Sequence, residues 1–438
     1  MTSKICASLS GFTGKEDLSK ADMVEIRLDL LGDVPAIDGK ELLVTFRDGV
    51  DLSVLPEGFE GMIDIGTEPR PDTTLTVVSS YHDYDATPSS DEIVSLLASM
   101  PGDIRKGAFR TDGFGDLHNL FRASEAVGGR SVLLGMGEFG TVTRVRSTLL
   151  RNEFTFAYVD APTAPGQIGL EEMAALGDDC LVLGIVGDPL SRSMSPEMHR
   201  AALRSEGLNG IYLRFETDDL EHCADVVREY NIRGLNITIP HKEAMLHRLD
   251  RLDETAEAVG AVNTLVNDDG VLTGYNTDVA GIDTALAVNR FEPRGKRAVI
   301  MGSGGAARAC AYALTARGCA VTVTGRNEAA AARLAADLGC EYKPAVSIPV
   351  MLYDLIVNCT PIGMYGDGSY PLDLSHINRH QTVFDMVYGA ETPIVSAARA
   401  ATAGVITGSD MLAGQGAASF GLWTGHHDTF DKMRSVLP

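Results

Sequence analysis

The stretch that most constrains this chain is "RAVIM" running straight into "GSGGAARAC", residues 297–310. An apolar strand that breaks into clustered glycines and then into helix-forming alanines is the strand–turn–helix unit of a dinucleotide-type α/β domain. Glycines there permit a tight turn and let a pyrophosphate approach the amides at the helix N-terminus. The pattern departs from G-x-G-x-x-G only at its sixth position, where alanine is allowed. The candidate cofactor contacts are therefore Gly302, Ser303, Gly304, Gly305, Ala306 and Ala307. At the end of the next apolar run, "AVTVTGRN" puts Arg326 and Asn327 where an acidic residue would otherwise meet ribose hydroxyls. A guanidinium at that turn suits a 2′-phosphate, which points to NADP (NADPH).

This loop arrives late in a chain of 438 residues, too long for one ordinary core. Eight apolar runs precede it in the first 165 or so positions: 4–9, 22–30, 41–46, 61–66, 74–81, 103–109, 130–136 and 155–161. Eight runs alternating with turns and short helices fit a parallel (β/α)₈ barrel, whose strands are buried on both sides. Such a barrel normally takes about 250 residues, so several outer helices must be short or missing. A stretch such as "RDGVDLSVLPEGFE" between the third and fourth runs is hardly helical, and a flat open sheet is the alternative.

A new α/β pattern starts with "CLVLGIVG" (180–187), with helices expected from about 196 to 206, near 218–230 and from Lys242. The glycine loop then opens helices expected at 305–317 and 327–338. The expected division is 1–176, a compact barrel; 177–290, a substrate domain; 291–405, a Rossmann-like cofactor domain; and 406–438, a helical segment returning to the substrate domain.

Net charge is −23, with 15 Lys plus Arg against 28 Asp plus Glu in residues 1–176 and 22 against 32 in the rest. Both halves repel nucleic acid and anionic membrane, so any anionic substrate must be held by local cations. Salt adaptation would produce the same balance. Seven scattered cysteines without a CxxC pair read as reduced thiols in cytoplasm, neither staples nor metal ligands. No signal-peptide pattern and no run of 18 apolar residues is found.

In the second half, Ser193 and Ser195 in "SRSMSPEMH" stand beside a helix opened by Pro196, where they either bind a carboxylate or cap the helix. Lys242 follows a strand, and "GAVNTLV" and "GYNTDVAGI" add Asn263 and Asp278. A Lys and an Asp converging in a cleft would polarise a carbonyl and relay a proton. In the first half, His82 ("SSYHDYD") and Lys106 ("DIRKGAF") lie on the fifth and sixth runs. Lys106 either snorkels to a strand end or is partly buried, which would leave more neutral amine to attack a ketone. Glu25, Arg27, Arg47 and Arg144 end or follow strands, and such arginines could secure a substrate carboxylate.

Taken together, "SRSMSPEMH", "GLNITIPHK", "GAVNTL", "GYNTD", "GSGGAARA", "NCTPIGM", "DMVY" and "GQGAASFGLWTG" make residues 181–438 resemble the shikimate dehydrogenases. That resemblance implies NADP-dependent reduction of 3-dehydroshikimate, with Lys242 and Asp278 as the catalytic pair. It implies Ser193 and Ser195 on the substrate carboxylate, Asn236, Thr238, Asn263 and Gln415 on the ring hydroxyls, and Tyr388 closing the cleft. The family's usual Asn-Arg-Thr turn is here "GRN", which keeps Arg326.

Residues 1–170 resemble type I 3-dehydroquinate dehydratase through "MVEIRLDLL", "LLVTFR", "SYHDY", "DIRKGAF", "GMGEFGTVTRV" and "TAPGQI". The resemblance implies an imine on Lys106, proton abstraction by His82, and substrate binding by Arg144 and Gln167, with Glu25 and Arg47 around the hydroxyls and carboxylate. It departs at strand four, where the family's Asp-x-Glu is Asp64-Ile65-Gly66, with Glu68 just beyond. The two resemblances describe consecutive reactions, dehydration to 3-dehydroshikimate and its reduction to shikimate. The alternatives are a shikimate or quinate dehydrogenase carrying a weakly active or inactive barrel, and a non-catalytic metabolite-sensing module. Small-molecule substrates are the expected partners; a homodimer is left open.

Overall fold

The computed structural model describes residues 3–47, 49–364, 369–389 and 391–438. Contacts divide the chain into two units, Met1–Gly184 with Asn209–Ile232, and Ile185–Leu208 with Arg233–Pro438.

In the first unit, eight parallel strands follow the apolar runs: β1 (Lys4–Leu9), β2 (Met23–Arg27), β3 (Glu41–Thr45), β4 (Met62–Asp64), β5 (Thr76–Asp83), β6 (Ile104–Arg110), β7 (Arg130–Met136) and β8 (Phe154–Tyr158). Their order is β7-β6-β5-β4-β3-β2-β1-β8, with the short β9 (Ile168–Gly169) beside β8. The sheet curls, because one residue from each of the eight strands joins a single apolar cluster: Cys6, Met23, Leu43, Met62, Val78, Ile104, Val132 and Phe154. No ladder joins β7 to β8 among the described residues. Asn152 crosses there instead, its Oδ1 accepting from Leu133 N at 2.7 Å and its Nδ2 donating to Leu133 O at 2.9 Å. Glu153 N also donates to Ser131 O at 3.0 Å.

The helices around these strands are α1 (Leu28–Leu31), α2 (Ser90–Ser99), α3 (Phe114–Ala126), α4 (Thr141–Val145) and α5 (Leu170–Leu176). Only α2 and α3 of these reach ten residues, and a three-residue 3₁₀ turn, Leu52–Val54, stands between β3 and β4. Short outer helices are how eight strands fit into so short a chain.

Strand β10 (Leu181–Gly187) passes from the first unit into the second. The segment carrying β11 (Gly210–Glu216) and α7 (Cys223–Glu229), read from sequence as part of 177–290, makes its contacts in the first unit. Tyr230 Oη donates to Leu117 O at 2.8 Å, and the buried Arg146 donates to the carbonyls of Asp178, Cys180 and Tyr230.

The second unit begins with α6 (Ser195–Ser205), then β12 (Gly234–Ile237), β13 (Arg251–Leu252), α8 (Glu254–Val259), β14 (Thr264–Asp268), β15 (Val271–Tyr275) and α9 (Asp278–Val288). Ser195 is the first residue of α6 rather than a residue before it. The helix expected from Lys242 does not form. A 3₁₀ turn, Ala244–His247, takes its place, because Met245 is its only buried residue and no apolar stripe supports a longer helix. Helix α8 starts only after Asp253, whose carboxylate accepts from Thr255 N and Ala256 N.

The glycine-loop region comprises β16 (Arg297–Met301), α10 (Gly305–Ala316), β17 (Ala320–Thr324), α11 (Glu328–Asp337), β18 (Glu341–Tyr342), β19 (Leu355–Asn358), β20 (Thr382–Asp385), α12 (Pro393–Ala400) and β21 (Gly404–Thr407). All six strands are parallel, in the order β18-β17-β16-β19-β20-β21. This is the doubly wound order whose direction reverses beside its first strand, here between β16 and β19. Ala298 and Ile300 face one apolar cluster while Val299 and Met301 face another. Burial on both faces is why "RAVIM" reads as apolar without alternation.

Helices α13 (Gly408–Thr424) and α14 (Phe430–Ser435) end the chain. Helix α13 crosses α9 at glycines: a Cβ on Gly281 would lie 2.5 Å from Met411 O, and one on Gly414 3.0 Å from the Gly281 Cα. That close crossing brings the side chain of Gln415 to Asn263.

Candidate active sites

The strands of the first unit and the loops that follow them aim seven of the sequence-predicted residues at one cavity of about 120 Å³: Glu25, Arg27, Arg47, His82, Lys106, Arg144 and Gln167. Lys106, on β6, is 4% exposed. Its Nζ lies 3.5 Å from Asp64 Oδ2 and 4.4 Å from the centroid of the Phe156 ring. Asp64 on β4 is fully buried and spends Oδ1 on the amide of Gly66 at 3.0 Å. Glu25 is also buried, held by the hydroxyls of Ser8 and Thr45. Arg27 is committed to Asp29, at 2.8 and 2.5 Å.

Arg144 has no such partner among the described residues. It is 3% exposed, its Nε lacks a hydrogen-bond partner, and burial lowers its pKa to about 10. A buried guanidinium without an acid costs desolvation energy unless an anion joins it. The geometry therefore suits a substrate carboxylate. Gln167 uses Oε1 to accept from Thr163 N and Ala164 N, which folds the loop over the cavity.

His82 lies between cations. Arg47 Nη1 and Nη2 stand 3.4 Å from its Nδ1 and Nε2, and Tyr84 stacks beside it with ring centroids 6.2 Å apart. Burial, then Lys106, Arg47 and Arg27, push its pKa down to about 2, so the imidazole is neutral. Behind it lies a second cavity of about 360 Å³ bordered by Arg47, Gly66, Glu68, Ser80 and Tyr84. Glu68 is the one carboxylate among the described residues lining it.

In the second unit, Lys242 Nζ meets Asp278 Oδ2 at 2.5 Å, with side-chain exposures of 17% and 4%. Asn263 Nδ2 donates to Asp278 Oδ1 at 2.8 Å and lies 3.4 Å from Gln415 Oε1. Asn236 joins through Ser419, at 3.1 Å, and Ser419 lies within 2.9 Å of both Thr264 and Thr277 hydroxyls. Sequence reasoning missed Thr264, Thr277 and Ser419. Two of them adjoin predicted residues, and Ser419 sits four positions after Gln415 on the same helix face.

Other expected contacts are placed apart from this network. Ser195 N donates to Ser193 Oγ at 3.4 Å, which folds the serine loop on itself. Thr238 packs on that loop's root, since a Cβ on Gly187 would overlap its Cγ2. Tyr388 borders a cavity of about 440 Å³ with Arg192, Met194, Met364, Gly389 and Pro438; neither Lys242 nor Asp278 lines it.

The glycine loop sits at the end of β16, where the strand order reverses. Gly302 has φ +131°, and a Cβ there would lie 3.1 Å from Cys359 O at the end of β19. Gly304 faces open space, and Gly305, Ala306 and Ala307 form the first turn of α10 beyond Ser303. The first-turn amides of α10 have no intrahelical acceptor, and with the open space at Gly304 they fit a dinucleotide pyrophosphate. Arg326 is exposed and makes no hydrogen bond or ion pair among the described residues, which fits a phosphate. Asn327 instead caps α11, its Oδ1 accepting from Ala330 N at 3.1 Å.

Comparison with known proteins follows this layout. Residues 63–176 match the type I 3-dehydroquinase family, 185–265 the shikimate dehydrogenase substrate binding domain, and 408–437 the shikimate 5'-dehydrogenase C-terminal domain. A shikimate dehydrogenase (NADP(+)) of Moorella thermoacetica is 40% identical over 271 residues, covering 58% of this chain and 92% of that protein. The solved shikimate 5-dehydrogenase of Thermus thermophilus, in complex with NADP(H) and shikimate, is 36% identical with a TM-score of 0.54, covering 58% of this chain and 97% of its own. A quinate dehydrogenase of Corynebacterium glutamicum in complex with NAD is 33% identical, TM-score 0.55, over 58% and 98%. The chain thus belongs to the shikimate dehydrogenase family, and carries a type I 3-dehydroquinase domain ahead of that part.

Proposed function

We propose that the chain is a bifunctional shikimate-pathway enzyme, dehydrating 3-dehydroquinate to 3-dehydroshikimate and reducing that product to shikimate with NADPH. The observation that carries the reading is the pair of separate lysine centres: Lys106 with His82 and Arg144, whose guanidinium meets no acid among the described residues, in one unit, and Lys242 with Asp278 in the other. The functional domains are assigned as 1–176, 177–290, 291–405 and 406–438.

In the first reaction, Arg144 and Arg47 hold the substrate carboxylate. Lys106 Nζ attacks the ketone and, with loss of water, forms an imine that acidifies the neighbouring C–H. His82 takes that proton and returns it to the departing hydroxyl, so water leaves. Hydrolysis of the imine then frees the product and restores the amine. Burial and then Lys106 do most to keep His82 a weak base, with Arg47 and Arg27 adding to them, and the bound carboxylate offsets the Arg47 share.

In the second reaction, Ser193 and Ser195 take the carboxylate, Asn236, Thr238, Asn263 and Gln415 the ring hydroxyls, and Tyr388 closes over the ring. Bound NADPH supplies the hydride. Lys242 donates a proton to the ketone oxygen, while Asp278, fixed by Asn263, orients the ammonium. Gly302–Ala307 would hold the pyrophosphate of the bound cofactor, and Arg326 with the start of α11 at Asn327 would meet its 2′-phosphate. Seven free cysteines support a cytoplasmic setting; no helix among the described residues is long and apolar enough to cross a membrane.

A second reading, a slow dehydratase, is favoured by one observation: among the described residues the His82 ring nitrogens meet Arg47 and no carboxylate. One experiment separates them. The full chain is given 3-dehydroquinate and NADPH, and every product is identified. Shikimate formation supports both activities; conversion of supplied 3-dehydroshikimate alone leaves the first unit inactive; no product from either substrate overturns the proposal.

A further inference from the structure

Away from both sites, α3 and α7 bring together side chains that neither reaction uses. His118 stands on α3, Asp225 and Glu229 lie four apart on one face of α7, and His222 is the residue that precedes α7 at its N-terminus. The His118 and His222 rings stack with centroids 4.3 Å apart and planes at 6°. One ligand atom from each of His118, His222 and Asp225 lies within 4.8 Å of the others. His118 Nδ1 is 2.8 Å from Glu229 Oε1, and His222 Nδ1 is 3.2 Å from Asp225 Oδ2.

The geometry points to a divalent transition-metal site, of the zinc type, formed by His118, His222 and Asp225 with Glu229 as the outer partner of His118. Two imidazoles and one carboxylate are a borderline-soft donor set that suits zinc or cobalt better than magnesium or calcium. The Glu229–His118 contact is the carboxylate–histidine pair that fixes the tautomer and leaves Nε2 for the ion. Glu229 supports this independently: its Oε2 is buried with no hydrogen-bond partner among the described residues. A cation on His118 gives that buried oxygen a favourable charge partner.

Nitrogens bound to zinc lie about 2.0–2.1 Å from it, and an ion cannot lie in both of two parallel ring planes. Binding therefore turns one imidazole out of the stack and draws the donor atoms together. The ion pins α7 to α3, two helices about a hundred residues apart in sequence, and leaves a fourth position for water.

The test uses the full chain freed of metal with a chelator and titrated with Zn²⁺ by calorimetry and Co²⁺ by visible absorbance. Expected are one ion per chain, a tetrahedral cobalt spectrum and a higher Tm with metal. His118→Gln and His222→Gln each weaken binding at least about 30-fold, and Glu229→Gln about 10-fold. His376→Gln, whose ring pairs with Asp373 elsewhere, changes nothing. Both catalytic rates measured on each variant confirm that it is folded. Binding that survives in the His118→Gln, His222→Gln double variant, or no binding tighter than that variant shows, overturns the site.

Discussion

Gly305, the first residue of α10, lies against the stem of Lys242: a Cβ at Gly305 would sit 3.0 Å from Lys242 Cδ and 3.3 Å from its Cβ. The glycine that opens α10 also leaves the space through which Lys242, the proposed proton donor, reaches Asp278. Gly305→Ala should keep or raise stability, since alanine favours a helix, while slowing ketone reduction about 10-fold by displacing Lys242. Steady-state kinetics beside a melting curve check this; an unchanged kcat means that the contact positions nothing.

Lys106 should be covalently trapped. Borohydride added during turnover of 3-dehydroquinate should fix substrate mass on the peptide containing Lys106, as an imine intermediate requires. Lys106→Ala should lose trapping and dehydration yet keep reduction of 3-dehydroshikimate. His82→Ala should still be trapped while losing dehydration by about 10²-fold or more. Rapid wild-type dehydration with no trappable adduct would exclude the imine route.

Glu68 should matter only to the proton-transfer step. It is the one carboxylate among the described residues lining the cavity behind His82. Glu68→Gln is expected to slow dehydration about 3- to 10-fold without reducing trapping at Lys106. Equal loss of both, or of neither, removes Glu68 from that role. Gly66 is no place to restore a carboxylate without strain: its φ of +60° costs another residue about 1 kcal/mol or more.

Arg326 should set cofactor choice. Arg326→Gln is expected to raise KM for NADPH at least about 10-fold while leaving KM for NADH within about twofold, because only the former carries the 2′-phosphate. A parallel change in both constants would assign the arginine a structural part.

His199 should make the fold acid-sensitive. It is fully buried between Phe420 and Trp423, and burial lowers its pKa to about 3. An unfolded chain binds this proton near pH 6.5 and the folded one does not, so stability rises with pH between about 3 and 6.5. Lowering the pH from 7 to 5 should cost about 2 kcal/mol through this residue alone. In His199→Leu, urea unfolding at the two values should show a difference smaller by that amount.

The eight runs and the doubly wound region were legible because strands buried on both faces must be apolar throughout, a condition visible in "RAVIM" or "RSVLLGM" without knowing the neighbours. The candidate catalytic residue types were legible too: His82 and Lys106 lie on β5 and β6, Asp278 opens α9, and Lys242 stands in the turn between β12 and the 3₁₀ segment. The expected helix at Lys242 failed because helix length depends on a partner surface, and 244–247 buries only Met245.

What the sequence determined by itself was therefore local: the run lengths, the glycine turn and the chemistry of single side chains. Tertiary structure decided the rest. Asp64 beside Lys106, arginine rather than a carboxylate beside His82, the Thr264–Thr277–Ser419 hydroxyls and the stacking of His118 on His222 all join residues far apart in the chain. The physical reason is that distance and burial, which set charge and hydrogen bonding, belong to the packed chain; a residue's type names only what it is able to do once its neighbours are chosen.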